Sequence, residues 1–487
     1  MMEAKEACGV FGVYAPGRDV AHLTFDGLYA LQHRGQESAG MAVSDGENLT
    51  VMKDMGLVTT VFDERKLSGL GGHLAIGHTR YSTAGSSSWS NAQPVYRSVG
   101  QAGFGLAHNG NLTNTAELAE RAGMLPGLVA SDSDLVADLL GAAHTRPDDH
   151  VGELEAALCA VLPEIEGAFS FVLLDTDRII GVRDPNGFRP LCLGRLDPVA
   201  GTGIPEGWVL ASESPALDVV GATFVRELEP GELVVIDADG VRSERPFPEA
   251  RIDPRLCIFE FVYFARPDTR LYGVEVHGAR RRMGELLADQ APVDADMVMG
   301  VPDSGVPAAE GYARSSGIPY GQGLVKNRYI GRTFIAPTQT ERANGVRRKL
   351  NPLRENIAGK RLVVVDDSIV RGTTTRAMVR MLREAGAAQV HLRISSPPFR
   401  WPCFYGIDTP DQDELLAAVK SIDEIVAFLG VDSLEYLTLD HLVTAIGAPG
   451  AGFCSACLTG EYPVRVELQT RSGATAVLAG ASTTAGG

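Results

Sequence analysis

One stretch, RLVVVDDSIVRGTTT (361–375), constrains this chain more than any other. An apolar run reads as a buried strand and ends in two adjacent carboxylates, Asp366 and Asp367. Ser368, Arg371, Gly372, Thr373, Thr374 and Thr375 follow at what reads as the start of a helix. Hydroxyls, backbone N–H groups, a glycine for close approach and the positive end of a helix dipole are what a phosphate monoester needs. The carboxylates suit ribose hydroxyls or a bound magnesium ion. A plain strand, acidic turn and threonine-capped helix would share the pattern, but nothing structural requires Asp-Asp directly before this loop. The G-x-x-x-x-G-K-[ST] spacing of a Walker A loop is absent.

The same grammar runs from about 255 to 445, where apolar strands such as DMVMGVP lead into glycine- or threonine-bearing loops and then helices. It predicts an α/β domain with a parallel sheet and ligands at the strand carboxyl ends. From Cys8 to about residue 245 the pattern differs: short alternating strands such as GFGLAHNGNL and AFSFVLLD, with helical stretches LVADLLGAAH and VGELEAALCAVL. That mixture predicts an α+β layered domain with antiparallel sheet. RPFPEARIDP (245–254) reads as a linker, residues 446–470 as a C-terminal segment, and the small-residue stretch 471–487 as a disordered tail.

At 487 residues the chain is too long for one core, which agrees with two domains. A net charge of −17 argues against a general nucleic-acid or anionic-membrane binder. No apolar run is long enough to span a bilayer, and residues 1–7 lack the apolar core of a secretory signal. Seven cysteines in such a chain point to metal or catalytic use rather than a disulfide framework, and to the cytoplasm.

A second loop, Pro302-Asp303-Ser304-Gly305, follows the strand MVMGV; alone it reads most often as a plain turn, and in company with the first loop it reads as a site for a second phosphate. Between the loops, residues 326–349 hold seven basic side chains (Lys326, Arg328, Arg332, Arg342, Arg347, Arg348, Lys349) against Glu341 alone. Such a run is usually a solvated face. Beside a phosphorylated sugar it reads as a lid that excludes water.

In the first half, Cys8 opens CGVFG. Cleavage before it would put an α-amine on the same residue as the thiol. That amine titrates at about 7.7–8.0 and can act as the general base, with no histidine needed. The bland alternative is a small core cysteine. GHTRYSTAG offers Arg80 as a carboxylate clamp. AHNGNL offers the Asn109 amide and Gly110 N–H as an oxyanion hole, and SDSD offers Asp132 for an ammonium group. Together they describe a site that grips an amino acid by both ends and attacks its side-chain amide.

With CGVFG, LQHRGQESAGM, GHTRYSTAG, AHNGNL and DDSIVRGTTT in this order, the chain resembles the glutamine phosphoribosylpyrophosphate amidotransferases from Cys8 to about Arg465. The resemblance implies a leader (1–7) that is removed, an N-terminal-nucleophile glutaminase of αββα layers (8–245) and a type I phosphoribosyltransferase (255–445). It assigns the nucleophile to Cys8, oxyanion stabilisation to Asn109 and Gly110, and glutamine binding to Arg80 and Asp132. Asp303, Ser304, Lys326, Asp366, Asp367, Ser368, Arg371, Gly372, Thr373, Thr374 and Thr375 would bind phosphoribosylpyrophosphate, with magnesium on Ser304, Asp366 and Asp367. The implied reaction is glutamine-dependent formation of 5-phosphoribosylamine, opening purine biosynthesis, with purine nucleotides as feedback inhibitors and a homotetrameric assembly. Cys454-x-x-Cys457 alone is compatible with zinc, redox chemistry or chance. With Cys257 and Cys403 it matches the ligand positions of the iron–sulfur class, implying a [4Fe–4S] cluster. Ala7 stands where that class usually has glutamate. Cys159 and Cys192 read as core residues. Rival readings are another glutamine amidotransferase, or a phosphoribosyltransferase-like nucleotide sensor without catalysis.

Overall fold

The computed structural model describes residues 8–81, 88–99, 103–124, 131–144, 154–327, 349–407, 409, 411–448, 452–469 and 475–478. The expected leader and most of the expected lid (328–348) lie outside these residues.

The first half stacks two antiparallel sheets. One has the spatial order Thr223–Glu227, Cys192–Leu196, Gly207–Ala211, Gly9–Tyr14, Leu74–Arg80, Ser38–Ser44, Leu49–Met55. The other runs Gly240–Glu244, Leu233–Asp237, Ile179–Arg183, Gly167–Leu174, Phe104–Leu112, Val95–Arg97. The period-two alternation of a strand explains why Gly9–Tyr14 is apolar throughout. Val10 and Tyr14 face the second sheet, meeting Val172 and Ile179, while Phe11 and Val13 face helices Val20–Ala30 and Ser214–Val219. Helices Asp132–His144 and Leu154–Val161 cover the far side of the second sheet through Leu135, Leu140 and Leu158. The layers are therefore helix, sheet, sheet, helix, as the resemblance implied. Cys192 is buried in this half, but Cys159 is only partly covered, because its helix turns that edge outward.

The second half is a parallel sheet of Met297–Gly300, Arg361–Asp366, Gln389–Ile394 and Ser433–Tyr436, in that order. Val363 and Val365 pack toward helices Val276–Gln290 and Val306–Ser316, whereas Leu362 and Val364 pack toward Thr373–Glu384 and Ile422–Leu429. Burial on both faces is why the run LVVV carries no polar residue.

The stretch 245–254 is pinned rather than loose: Phe247 is buried and Arg251 donates to the carbonyls of Pro163 and Ile165. The C-terminal segment returns to the body of the second half, where Leu256–Cys257 pairs in parallel with Phe453–Cys454. The expected disordered tail needs one correction. Thr475–Leu478 pairs antiparallel with Val466–Gln469, so four of its residues form a hairpin arm. TAVL can pair because it contains no glycine or proline, unlike its flanks.

Helices Val276–Gln290 and Val306–Ser316 approach through glycines. A Cβ on Gly311 would stand 1.9 Å from the Arg281 carbonyl oxygen, and one on Gly284 would stand 1.7 Å from that of Ala308. Gly311→Ala is expected to push the helices apart and cost about 1–3 kcal/mol, read as an earlier urea-unfolding midpoint.

Candidate functional site

Cys8 lies immediately before the central strand Gly9–Tyr14, with its Sγ donating to the Tyr81 carbonyl at 3.4 Å. Burial pushes its thiol up, against the charge of Arg80. A cleft of about 310 Å³ opens beside it, lined by Arg80, Gly110 and Asp132 among others. Arg80 ends the neighbouring strand Leu74–Arg80, and Asp132 begins the helix Asp132–His144. Burial alone would raise the Asp132 carboxyl, but His108 and the backbone N–H groups of Leu112 and Ser133 hold it below its ordinary value. Its Oδ2 lies 3.6 Å from His108 Nδ1 and accepts from Leu112 N at 3.3 Å. Four residues drawn from separate parts of the sequence thus face one cavity, with a cation and an anion beside a thiol.

Asn109 and Gly110 sit on Phe104–Leu112. Asn109 is wholly buried, and its side-chain amide nitrogen and oxygen have no hydrogen-bond partner among the described residues. Such a group costs free energy until something docks on it. Gly110 has φ of 151°, and a Cβ there would lie 2.0 Å from the Ala168 carbonyl oxygen, so only glycine fits.

The sequence reading missed the charges behind Cys8. Arg34, within LQHRGQESAGM, donates from Nε to the Cys8 carbonyl at 3.1 Å. It also pairs with Glu260 at 2.7 and 3.0 Å and with Glu213. Glu260 belongs to the second half and also accepts from Arg189 at 3.3 Å. Glu213 further accepts from His33 at 2.7 Å and from Arg266 N at 2.9 Å. No local pattern marks these residues, since a charged residue is ordinarily exposed.

In the second half, pairing of Gly300 with Val365 brings both phosphate-type loops to one edge of the sheet. The Ser304 hydroxyl donates to Asp367 Oδ2, Ser368 donates to Oδ1 at 2.6 Å, and Asp366 accepts from Asp367 N at 3.0 Å. Gly372 takes φ of 71° at the N-cap of Thr373–Glu384, against Leu416. Thr373 is exposed, Thr374 half-buried and Thr375 buried, so the three hydroxyls are not equivalent. Lys326 pairs with Asp303 at 2.6 Å, and Arg371 with Glu414 at 2.5 Å.

Cys257, Cys454 and Cys457 are buried and Cys403 partly so, and each of the four is an electrostatic neighbour of the others. Burial, with mutual repulsion where they meet, pushes these thiols up; Cys257 reaches about 12. Among the described residues no three His, Cys, Asp or Glu side chains converge tightly enough for a single metal ion.

An antiparallel double sheet with a cysteine at the head of its central strand, joined to a parallel sheet with an acidic phosphate-type loop, defines a glutamine amidotransferase fused to a phosphoribosyltransferase. The family model for a glutamine amidotransferase domain matches residues 78–218, and that for a phosphoribosyl transferase domain matches 276–395. An amidophosphoribosyltransferase of Mycobacterium tuberculosis is 54% identical over 482 residues, covering 96% of this chain and 88% of its own. That of Bacillus subtilis is 44% identical, covering 96% of both chains. The solved glutamine phosphoribosylpyrophosphate amidotransferase of B. subtilis, complexed with ADP and GMP, superposes with a TM-score of 0.85 at 44% identity, covering 95% of this chain and 99% of its own. The chain belongs to the amidophosphoribosyltransferase family. Among the described residues no helix is long and apolar enough to cross a membrane.

The Glu213 carboxyl is held well below its ordinary value: burial opposes this, but His33 and Arg34 outweigh it. Its contribution to stability is complete above the ordinary glutamate value of 4.5 and is lost as the pH falls from there. Glu213→Gln should cost about 3–5 kcal/mol at neutral pH. It should also flatten the acid limb of stability against pH, as followed by thermal unfolding.

Proposed function

We propose that this chain hydrolyses glutamine at Cys8 and delivers the ammonia to phosphoribosylpyrophosphate in its second half, forming 5-phosphoribosylamine, pyrophosphate and glutamate. The observation that carries this is the convergence of Cys8, Arg80, Gly110 and Asp132 on one cleft, with the unpartnered Asn109 amide on the same strand as Gly110. Arg80 pairs with the substrate α-carboxylate and Asp132 with its ammonium, which fixes the side-chain amide against Cys8. Removal of residues 1–7 frees the Cys8 α-amine, which takes the thiol proton as sulfur attacks the amide carbon. The neutral thiol favoured by burial is the form expected at rest. Oxygen acquires charge between the Asn109 amide and Gly110 N–H. Collapse breaks the C–N bond, the amine returns the proton, and ammonia leaves. Water then cleaves the thioester to glutamate.

In the second half, Asp303, Ser304, Lys326 and the loop Asp366–Thr375 hold phosphoribosylpyrophosphate, with phosphate at the N-terminus of Thr373–Glu384. Ser304, Asp366 and Asp367 form the all-oxygen donor set that suits magnesium, which would neutralise the departing pyrophosphate. Ammonia forms a bond to C1 as the C1–O bond to pyrophosphate breaks. Lys326, beside Asp303, begins the basic segment 326–349, whose charge suits the pyrophosphate anion. The presence of Cys8, Arg80, Asn109, Gly110 and Asp132 together weighs against a non-catalytic sensor.

Cys257, Cys403, Cys454 and Cys457 form the ligand set of a [4Fe–4S] cluster. Four buried thiols that repel one another's ionised forms are relieved by a bound cation. Each of the four cysteines would supply one thiolate to the cluster. The cluster would tie the C-terminal segment to the body and supplies no step of the transfer. Feedback by purine nucleotides agrees with the ADP and GMP carried by the B. subtilis relative. A cytoplasmic homotetramer completes the reading.

Active protein should have the intact mass of a chain beginning at Cys8. Cys8→Ala should abolish glutamine-dependent synthesis while synthesis from free ammonia continues; loss of both in a folded protein would contradict two separate sites. Protein purified without oxygen should be brown and hold about four irons per chain. A colourless, zinc-loaded and fully active protein would overturn the cluster assignment.

A further inference from the structure

The loop that carries Cys403 packs directly against the strand that carries Asn109 and Gly110. Asn111 donates from Nδ2 to the Phe404 carbonyl at 2.9 Å. Gly406, at φ of 107°, lies so close that a Cβ would meet the Gly110 carbonyl carbon at 3.3 Å and Arg189 Nη2 at 2.8 Å. Arg189, from the first half, donates from Nη2 to the Tyr405 carbonyl at 2.8 Å and from Nη1 to Glu260 at 3.3 Å. Phe188 stacks on Tyr405 with ring centroids 4.4 Å apart. The Tyr405 N–H in turn points at Cys403 Sγ, 3.4 Å away.

Ordinary packing between two halves of an enzyme would need only apolar contact. Here polar groups flank the oxyanion pair itself: Asn111 is covalently next to Gly110, and Gly406 packs so near that any side chain on it would meet the Gly110 carbonyl carbon. Its own half holds Gly110 only through the backbone ladder, opposite Phe169, since it has no side chain to fix it further. An oxyanion donor must nevertheless lie within 2.7–3.1 Å of the developing charge, and a misplacement of about 1 Å costs about a hundredfold in rate.

We propose that Asn111 and Arg189 are positioning residues for glutamine hydrolysis, clamping the Cys403–Gly406 loop against Phe104–Leu112 so that the Gly110 N–H and the Asn109 amide stay aimed at the oxyanion. The proposal rests on Asn109 and Gly110 being the oxyanion pair. It has a consequence for the four-thiol site: whatever anchors Cys403 also braces the glutaminase centre, because one loop serves both.

The test is Asn111→Ala in the metal-loaded holoenzyme, with Arg189→Lys as a second variant that keeps the charge but loses the fork. The expected result for Asn111→Ala is a fall of about 10- to 100-fold in kcat with glutamine at an almost unchanged KM, because the lost alignment acts on the transition state. Ammonia-dependent synthesis and iron content should stay at wild-type levels. Amide hydrogen exchange in residues 104–112 should quicken. Arg189→Lys should fall between wild type and Asn111→Ala on the same readouts. Unchanged kcat in either variant, a defect confined to KM, or a parallel loss of ammonia-dependent synthesis would overturn the proposal. Asn109→Ala separates the two claims. If that variant keeps full glutaminase kcat, the oxyanion assignment itself is wrong. If it is crippled while Asn111→Ala is not, only the clamp is wrong.

Discussion

Four buried charges hold the two halves in register: Arg34, Glu213, Glu260 and Arg189. Each has almost no exposed surface, and Glu260 bridges Arg34 and Arg189. Leaving any one of them unpaired in the interior would cost several kcal/mol, so the halves cannot slide without uncovering charge. A further donor of this set, Arg34 Nε, holds the Cys8 carbonyl. The backbone of Cys8 is therefore tied, through Arg34, to Glu260 of the phosphoribosyltransferase half.

Both sites obey the same economy of backbone. In the first half, a glycine at positive φ lets a strand turn its N–H toward a ligand where a side chain would strike Ala168. In the second, Gly372 brings the loop after Asp367 to the start of a helix, where N–H groups are unpaired by construction. Side chains then decide the chemistry. A cation and an anion flank the thiol, and two carboxylates with serine hydroxyls stand at the sheet edge.

Much of this was legible because it is local. Strand–loop–helix grammar from 255 onward announced the parallel sheet, and Cys8, Arg80, Gly110 and Asp132 were identifiable as types before the fold brought them to one cleft. The four cysteines were chosen by resemblance, and the pairing of Cys257 with Cys454 gives that choice a structural frame. The buried quartet was invisible, since Arg34 and Glu260 lie 226 positions apart and each alone looks like a surface residue. The hairpin arm at 475–478 was equally hidden, for its composition resembles that of an unfolded tail.

From the order of its residues alone, the chain determined which segments become strands and helices, where backbone must bend, and which side chains carry reactive groups. These depend on periodicity and on the stereochemistry of single residues. Tertiary structure decided which charges neutralise one another, which cysteines are neighbours and which loop packs against the strand Phe104–Leu112. Those outcomes depend on distances across the fold, and at low dielectric a separation of a few ångströms determines whether a buried charge is a bond or a penalty.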